Sequence, residues 1–293
     1  MERIVITAAG KVNIFLRVLT GEINGYHHVE TLYQSVDLRD RIEIRRGSDS
    51  LTLATSGIET PEGGLNLALR AAHRYLEAVR LDEKVHIQLD KRIPVSAGLG
   101  GGSADAAAVL LGMNVLFEEK LNEAELVCLA GSLGCDVPFL LKGGTAIGWA
   151  RGDRLITLSP LPAWPVLICL PGFRGDTGFA YQRLDEEERE RKFDAFRYEP
   201  ADFYSLDTLK DLVVNDFEGV IGRGHPSFLE IKDTFLQYGG KFALLTGTGS
   251  AIFAPFASER ERAGCLKVFN ERFDYQMLST RFTAEGIQVE ELE

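Results

Sequence analysis

Residues 94–108 have the sequence Pro-Val-Ser-Ala-Gly-Leu-Gly-Gly-Gly-Ser-Ala-Asp-Ala-Ala-Ala, and this stretch decides the fold prediction. Before it, residues 85–89 alternate apolar and polar side chains as a half-buried strand does, and after it an alanine-rich segment favours a helix. Glycine accepts positive backbone angles and lets the main chain approach a ligand closely. The free N–H groups at the start of a helix attract anions. Residues 98–103 are called the glycine run here. A strand, then the glycine run, then a helix is an order that predicts a phosphate-binding site at residues 98–103.

The residues around the glycine run argue against a linker, a P-loop and a dinucleotide-binding loop. A flexible glycine-rich linker does not usually continue directly into a segment such as residues 104–111, which favours a helix. A P-loop requires lysine and then serine or threonine after its last glycine, and here Ser103 and Ala104 follow Gly102. The dinucleotide-binding pattern requires glycine or alanine three residues after Gly100, where Ser103 lies. The sequence thus indicates a phosphate site of another design.

Composition and charge restrict the class of protein. The chain has 293 residues, 45% hydrophobic and 26% charged, which suits one large or two ordinary globular domains. Its 32 basic and 43 acidic residues give a formal net charge of −11, so neither a nucleic acid nor an anionic membrane is expected as a partner. No apolar run approaches the roughly 20 residues of a membrane helix, and residues 1–6 resemble no secretory signal. We therefore expect a cytoplasmic protein whose four cysteines are buried free thiols: Cys128, Cys135, Cys169 and Cys265.

Hydrophobic periodicity predicts a mixed α+β pattern in two halves. The predicted strands are residues 4–8, 12–18, 30–36, 41–46, 51–54, 85–89, 145–149, 166–170, 242–245, 251–254 and 275–282, and the predicted helices are residues 67–79, 103–116, 122–133, 226–238 and 258–273. Asn122 with Glu125 is typical of a helix-capping box. The proline-rich residues 160–165 indicate a boundary, so we expect domains at residues 1–159 and 160–293. The charged residues 183–197 are expected to form a solvated surface segment.

Three separated segments carry a resemblance to a known family. They are residues 9–13 (Ala-Gly-Lys-Val-Asn), the glycine run, and residues 246–250 (Thr-Gly-Thr-Gly-Ser). In this order they resemble the galactose, homoserine, mevalonate and phosphomevalonate (GHMP) kinase superfamily, over about residues 8–255. Motifs at residues 25–27, 65–67, 91–94, 134–138 and 215–216 are similar to those of members whose acceptor is a cytidine diphosphate conjugate of a sugar alcohol. The resemblance implies an α+β, two-domain GHMP-kinase fold with the active site in the cleft between its N-terminal and C-terminal domains.

The resemblance implies that Asp136 and Lys11 are catalytic. Taken alone, an aspartate before Val-Pro is more often a helix cap, and a lysine at the start of a strand is more often a surface side chain. In the family the matching carboxylate takes the proton of the attacking hydroxyl. Lys11 and Asn13 lie on one face of the predicted strand because side chains alternate with a period of two. A cation beside Asp136 would favour its charged form and orient the acceptor.

The resemblance also implies which residues bind the two substrates. The acceptor is expected to contact Asn13, Tyr26, His27, Thr177, Tyr181, Thr246 and Gly247. Of these, Tyr26 and Tyr181 would stack on the cytosine ring and His27 would hydrogen-bond to its edge. ATP is expected to contact Asn66, Lys91, Pro94, Gly98, Leu99, Gly100, Gly101, Gly102 and Ser103. For Arg92, a solvated position at a strand end remains the alternative.

The implied activity is the ATP-dependent phosphorylation of a hydroxyl group on that cytidine diphosphate conjugate, in the synthesis of isoprenoid precursors. Mg²⁺ is expected to bridge phosphate oxygens, while its protein ligands stay unassigned. The main alternative is a kinase of the same superfamily with another acceptor, such as homoserine or mevalonate. A catalytically inactive nucleotide-binding protein would lack Lys11 or Asp136, and a serine hydrolase would need a Gly-x-Ser-x-Gly turn that the sequence does not contain. We therefore expect small-molecule partners, and a protein that is a monomer or a homodimer.

Overall fold

The fold is described by a computed structural model that covers residues 1–23, 26–173, 177–186 and 203–293. For residues 20–23 and 26 the backbone alone is described. Gly25 of the predicted acceptor motif, the side chain of Tyr26, and residues 187–197 of the charged segment therefore lie outside the described residues.

Strands and helices are interspersed along the chain, as the periodicity predicts. The described strands are β1 (Arg3–Ile23), β2 (Tyr26–Arg46), β3 (Thr52–Gly57), β4 (Val85–Lys91), β5 (Thr145–Trp149), β6 (Arg154–Leu158), β7 (Pro165–Leu170), β8 (Val214–Asn215), β9 (Leu244–Leu245), β10 (Ile252–Pro255), β11 (Gln276–Arg281) and β12 (Ile287–Leu292). The described helices are α1 (Leu67–Val79), α2 (Gly101–Leu116), α3 (Glu123–Leu133), α4 (Val137–Lys142), α5 (Thr177–Asp185), α6 (Leu206–Leu209), α7 (Glu218–Gly224), α8 (Ser227–Gln237) and α9 (Glu259–Arg272).

The larger sheet is built on one long antiparallel hairpin. Its strand order is β12-β1-β2-β4-β3, with β5 and β6 added beside β2 and β8 beside β1. Strand β1 includes both residues 4–8 and 12–18, and β2 includes both 30–36 and 41–46, so the prediction of separate strands is wrong. Between Ala9 and Gly10 the pairing partner changes from Arg39 to Val36, which is a bulge that lets the strand continue. A Cβ at Gly10 would lie only 3.1 Å from the Leu99 carbonyl oxygen, so glycine at this position allows the main chain of Leu99 to approach β1 closely.

Helix α2, which carries the glycine run at its N-terminus, is the central helix of the larger half. It begins at Gly101, two residues before the predicted start, and ends at Leu116 as predicted. Helices α1, α3 and α4 pack around it, and its alanines at 104 and 106–108 are fully buried. A Cβ at Gly112 would lie 2.9 Å from Ile44 Cδ1 on β2. The small residues of α2 therefore allow the helix to lie directly on the sheet and hold the glycine run in place.

A second, four-stranded antiparallel sheet has the order β11-β7-β10-β9. Helices α8 and α9 belong to this half, where the rings of Phe235 and Phe269 have centroids 4.7 Å apart. The α+β prediction is confirmed, as is the capping box of Asn122 and Glu125 on α3. The periodicity does not predict α4–α7, β6, β8 or β12, which are short or mostly solvent-exposed elements. Strands β8 and β12 both pair with β1, and the boundary at residue 160 stays a prediction.

The four cysteines are free thiols. Cys169 and Cys265 are buried as predicted, whereas Cys135 is half-buried and Cys128 is exposed, so the burial prediction is wrong for Cys128. The buried residues of α3 are 126, 130 and 133, and residue 128 lies on the opposite side of that helix. No helix in the described ranges is long and apolar enough to cross a membrane.

Candidate active site

A cavity of about 600 Å³ is lined by residues from both halves of the chain. It brings together ten of the predicted site residues: Lys11, Asn13, His27, Gly98, Gly100, Ser103, Asp136, Thr177, Tyr181 and Gly247. It also includes Tyr33, Arg151 and Phe217, which lie outside the sequence motifs, and Ser96 and Thr248, which lie in the quoted motifs but are not among the predicted site residues.

Lys11 and Asp136 form an ion pair in this cavity. Lys11 Nζ lies 3.5 Å from Asp136 Oδ2 and donates a hydrogen bond to Asn13 Oδ1 at 2.7 Å. Asp136 occupies the N-cap position of α4, but its side chain caps no amide of that helix. The Lys11 side chain is only 3% exposed. The helix-cap and surface-lysine alternatives therefore do not account for these two side chains.

Tyr33 on β2 is the second partner of Asp136. Its hydroxyl donates to Asp136 Oδ1 at 2.9 Å. Burial, and then the charge of Asp136, hold the pKa of the Tyr33 hydroxyl well above its ordinary value of 10.0, so the hydroxyl remains a donor at neutral pH. No motif points to Tyr33, but it lies opposite Asn13 in the pairing of β1 with β2, and facing residues of a sheet share one face.

The glycine run adopts the backbone that a phosphate cradle needs. Gly98 and Gly100 have φ values of +80° and +72°, and a Cβ at Gly98 would overlap the carbonyl oxygen of Thr246. The backbone N–H of Lys11 donates to the Leu99 carbonyl oxygen at 2.9 Å, which ties the run to β1. Helix α2 begins directly afterwards, with no side-chain cap on its first turn. Its free amides and the helix dipole make this end of the cavity attractive to an anion.

Asn13 joins the Lys11–Asp136 pair to the second glycine turn, residues 246–249. Its Oδ1 accepts hydrogen bonds from Lys11 Nζ and from the Gly247 backbone N–H at 3.0 Å, and its backbone N–H donates to Thr246 Oγ1 at 3.1 Å. Its Nδ2 donates to Thr31 Oγ1 at 2.8 Å. Thr246 is itself fully buried, so it holds this turn in place and does not line the cavity.

Asn215 supports the same turn from behind, a role that the motif at residues 215–216 does not by itself indicate. Its Nδ2 donates to the carbonyl oxygens of Leu245 and Gly247, both at 2.8 Å. The backbone N–H of Ala251 donates to the Ala97 carbonyl oxygen at 3.1 Å. The glycine run and the second glycine turn are thus held together by a main-chain hydrogen bond.

Aromatic and polar side chains from β2, α5 and the residue before α7 also line the cavity. The rings of His27 and Tyr181 have centroids 4.8 Å apart, and Tyr181 meets Phe217 edge-on at 4.9 Å. His27 Nε2 lies 2.6 Å from Asp185 Oδ1. Thr177 Oγ1 lies 2.9 Å from Thr248 Oγ1, which connects α5 to the second glycine turn. The side chain of Tyr26 lies outside the described residues, so its predicted stacking stays a prediction.

The structure places Lys91 behind the glycine run and not in the cavity. Its side chain is 1% exposed and does not line the cavity, because the ammonium group is ion-paired with Asp40 and, at 2.8 Å, with Asp105. A Cβ at Gly101 would lie 2.8 Å from Lys91 Nζ, so this ammonium lies behind the glycine run. Asp40 Oδ1 also accepts the backbone N–H groups of Arg92 and Ile93 at 2.6 and 2.8 Å. Lys91 therefore supports the run from the core, and its assignment to ATP stays a prediction.

The remaining predicted ATP residues differ in what their side chains do. Asn66 caps α1 by accepting the Ala68 backbone N–H at 2.9 Å, and neither it nor Pro94 lines the cavity. Leu99 is fully buried, and Gly101 and Gly102 form the first turn of α2. Their assignment to ATP stays a prediction. Arg92 is exposed and pairs with Asp90, which agrees with the solvated alternative.

Arg151 is a cation of the cavity that the motifs do not indicate. It lies in the turn between β5 and β6 and pairs with Asp153, with Nε 3.0 Å from Oδ2. Across the described residues, His, Cys, Asp and Glu side chains form no group of three that could hold a metal ion.

Comparison with known proteins agrees with this geometry. The family model for the N-terminal domain of GHMP kinases matches residues 66–144, and that for the C-terminal domain matches residues 203–274. A 4-diphosphocytidyl-2-C-methyl-D-erythritol kinase of Moorella thermoacetica is 37% identical over 261 residues, covering 86% of this chain and 90% of the relative. One from Syntrophus aciditrophicus is 37% identical over 255 residues, covering 87% and 90%.

Solved structures show the same similarity in three dimensions. A crystal structure of 4-(cytidine 5'-diphospho)-2C-methyl-D-erythritol kinase superposes with a TM-score of 0.77 at 32% identity, covering 96% of this chain and all of that one. A homoserine kinase from Cytophaga hutchinsonii superposes with a TM-score of 0.75 at 18% identity, over 99% and 98% of the two chains, and this likeness shows the shared fold alone. The chain therefore belongs to the GHMP kinase family, and within it to the group of 4-diphosphocytidyl-2-C-methyl-D-erythritol kinases.

Proposed function

We propose that this cavity transfers the γ-phosphoryl group of ATP to the 2-hydroxyl of 4-diphosphocytidyl-2-C-methyl-D-erythritol, which yields ADP and the 2-phosphate in isoprenoid precursor synthesis. The observation that carries the proposal is the pairing of Lys11 with Asp136 in the same cavity as the uncapped N-terminus of α2. The acceptor follows from the names of the relatives that are 37% identical over most of their length.

The triphosphate belongs at the glycine run. The amides of residues 98–103 and the N-terminal end of α2 supply hydrogen-bond donors and partial positive charge for phosphate oxygens. This local arrangement is what a chain with a net charge of −11 needs to bind a polyanion. The glycine run and the second glycine turn lie close together and position the γ-phosphoryl group near Lys11. The Lys11 ammonium group counters the negative charge that develops during transfer.

Magnesium fits the oxygen-donor chemistry of this end of the cavity. The Ser103 hydroxyl and the Asp136 carboxylate both line it, and Mg²⁺ binds through such hard oxygen ligands while relying mainly on substrate phosphates. With ATP bound, Ser103 would be the protein group that assists in holding the ion, which would neutralise phosphate charge.

The proton of the acceptor hydroxyl goes to Asp136. Its side chain is 32% exposed, so one side of the carboxylate is open to the cavity. The hydroxyl oxygen forms its bond to the γ-phosphorus, the bond from that phosphorus to the bridging oxygen of ADP breaks, and the carboxylate keeps the proton. A positioned base of this kind contributes typically about 10²–10⁴-fold to the rate.

The cytidine end of the acceptor belongs beside His27 and Tyr181. An aromatic ring offers a stacking surface to any base, and a histidine at the ring edge adds hydrogen-bonding selectivity. Thr177 and Thr248, which are in contact with each other, add hydroxyl groups between this end and the second glycine turn. The cytoplasmic location and the monomeric or dimeric state stay predictions.

Release of ADP with a panel of acceptors tests this proposal. The purified protein is incubated with MgATP and either 4-diphosphocytidyl-2-C-methyl-D-erythritol, homoserine, mevalonate or galactose. We expect release with the cytidine compound alone, inhibited competitively by CDP against that acceptor. Release with a different acceptor would make the protein another kinase of the family, and no release despite ATP binding would favour a non-catalytic nucleotide-binding protein.

A further inference from the structure

Tyr33 belongs to none of the sequence motifs, yet it contacts the proposed base directly. We propose that Tyr33 is a positioning residue for phosphoryl transfer: its hydroxyl holds Oδ1 of Asp136, so that Oδ2, beside Lys11, is the oxygen presented to the acceptor hydroxyl. The inference rests on the proposed function, in which Asp136 takes the acceptor's proton.

Tyr33 fixes both the side chain of Asp136 and the helix that follows it. Its ring is stacked on Phe139, with centroids 4.7 Å apart and planes at 20°, and Phe139 lies in the first turn of α4. Its hydroxyl donates to Asp136 Oδ1 at 2.9 Å. The whole residue is only 3% exposed, so neighbouring atoms restrict its motion. One buried side chain thus ties the position of α4 to the orientation of the carboxylate.

Strand β5 and the turn that follows it leave space for the tyrosine. A Cβ at Gly148 would lie 2.6 Å from Tyr33 Cε2, and a Cβ at Gly152 would lie 2.6 Å from the Tyr33 hydroxyl oxygen. Real Cβ atoms do not come so close to other heavy atoms. A residue that only filled the core would need space for the ring alone. The absent Cβ at Gly152 makes room for the hydroxyl, the atom that contacts Asp136.

The two oxygens of Asp136 have different partners, which separates their roles. Oδ1 accepts the Tyr33 hydroxyl, whereas Oδ2 lies 3.5 Å from Lys11 Nζ, too far for a strong hydrogen bond. Because a carboxylate oxygen has more than one acceptor direction, Oδ2 can receive a further donor. Burial, and then the charge of Asp136, raise the pKa of Tyr33, so the phenol does not compete with Asp136 for the role of base.

The charged and titratable groups around Asp136 come from several elements. They are Lys11 on β1, Tyr33 on β2, the adjacent Cys135, Arg151 and Asp153 in the β5–β6 turn, Tyr181 and Asp185 on α5, and His27 on β2. Among them the Tyr33 hydroxyl has a hydrogen bond to the Asp136 carboxylate, and its removal therefore changes one defined contact.

The variant Tyr33→Phe tests the inference because it keeps the ring and removes the hydroxyl. Without this hydrogen bond the carboxylate is no longer held in one orientation toward the acceptor hydroxyl. At neutral pH we expect kcat to fall roughly three- to tenfold, with the KM for ATP unchanged. A wild-type kcat in a folded, ATP-binding Tyr33→Phe protein would overturn the positioning role.

Tyr75→Phe is the matched control. Tyr75 is also fully buried and donates to an amide oxygen, Asn114 Oδ1, at 3.1 Å, but it lies in the core between α1 and α2. Its hydroxyl contacts no group of the cavity. We expect Tyr75→Phe to lower the resistance to urea and to leave kcat unchanged, whereas an equal fall in kcat in both variants would assign the effect to general destabilisation.

An NMR measurement without substrates separates this inference from the proposed function. The carboxyl ¹³C resonance of Asp136, assigned with Asp136→Asn, is compared at neutral pH in the wild-type protein, in Tyr33→Phe and in Tyr75→Phe. We expect it to move in Tyr33→Phe alone, because only that variant removes a donor to the Asp136 carboxylate. This readout needs no acceptor, so it still decides the Tyr33–Asp136 contact if the wild-type protein fails to phosphorylate the cytidine compound. An unchanged resonance, or a moved resonance with unchanged kcat, would overturn the inference.

Discussion

The ammonium nitrogen of Lys91 lies 2.8 Å from Asp105 Oδ2, directly behind the N-terminal turn of α2. Lys91 is at the end of β4, Asp105 is on α2, and Asp40 on β2 completes the cluster. Burial raises the pKa of Asp105 to about 8, against the attraction of Lys91. A single buried cation thus joins two strands to the helix that carries the proposed phosphate site.

Replacing Lys91 tests whether this cluster supports the glycine run. In Lys91→Met two buried carboxyl groups lose their common cation, and we expect the free energy of unfolding to fall by about 3–5 kcal/mol. ATP affinity should fall as well, because the start of α2 loses its support. Urea unfolding and isothermal titration with ATP measure the two effects.

Arg92→Met is the control for Lys91→Met, since Arg92 is adjacent but 60% exposed and pairs with Asp90 at the surface. Such a pair contributes about 0–1 kcal/mol. If Lys91→Met were no less stable than Arg92→Met, the cluster would have no structural role.

The close approach of the two glycine turns predicts a strong effect at Gly98. Alanine there would have to adopt a φ near +80° and would overlap the Thr246 carbonyl oxygen. We expect Gly98→Ala to lose more than about 2 kcal/mol of stability and to bind ATP poorly. Gly131→Ala on α3 is the control, because the nearest atom to its Cβ would be 3.9 Å away. That change should stabilise the protein by about 0.4–1 kcal/mol; similar urea midpoints for the two variants would disprove the close approach.

Because the rings of His27 and Tyr181 lie together, we predict that replacing Tyr181 weakens binding of the acceptor and not of ATP. Stacking of a base on an aromatic ring contributes about 1–3 kcal/mol, so Tyr181→Leu should raise the KM for the cytidine acceptor roughly 5- to 150-fold and leave the KM for ATP unchanged. Phe179→Leu, on the same helix but 48% exposed, should change neither constant. Steady-state kinetics with each substrate varied in turn measures this, and an equal rise in both KM values would contradict the assignment of Tyr181.

Local sequence predicts the phosphate end of the site better than it predicts the rest. The glycine run, α2 and the capping box on α3 depend on residues within one turn of each other, so their patterns are visible in the sequence. Tyr33 could not be found this way, because its place beside Asp136 depends on the register of a hairpin with bulges. The burial and ion pairs of Lys91 could not be predicted for a related reason: its carboxylate partners are 51 and 14 residues away, at positions 40 and 105.

The difference between local patterns and contacts with distant residues also explains the errors in the predicted strand boundaries. Periodicity predicts residues 4–8 and 12–18 as separate strands, and Gly10 lies between them. In the folded chain Gly10 is a point of contact with the Leu99 carbonyl oxygen, and the strand continues through it. The sequence alone does not distinguish a glycine that ends a strand from a glycine that allows a distant part of the main chain to approach closely.

The turnover of Asp136→Asn, at saturating MgATP and 4-diphosphocytidyl-2-C-methyl-D-erythritol, tests most directly whether the Lys11–Asp136 pair is the catalytic centre. The amide cannot take the acceptor's proton, so kcat should fall by at least about 100-fold, while ATP affinity and the urea unfolding curve stay within error of the wild-type protein. A kcat within a few-fold of the wild-type value in a folded, ATP-binding Asp136→Asn protein would show that Asp136 is not the base.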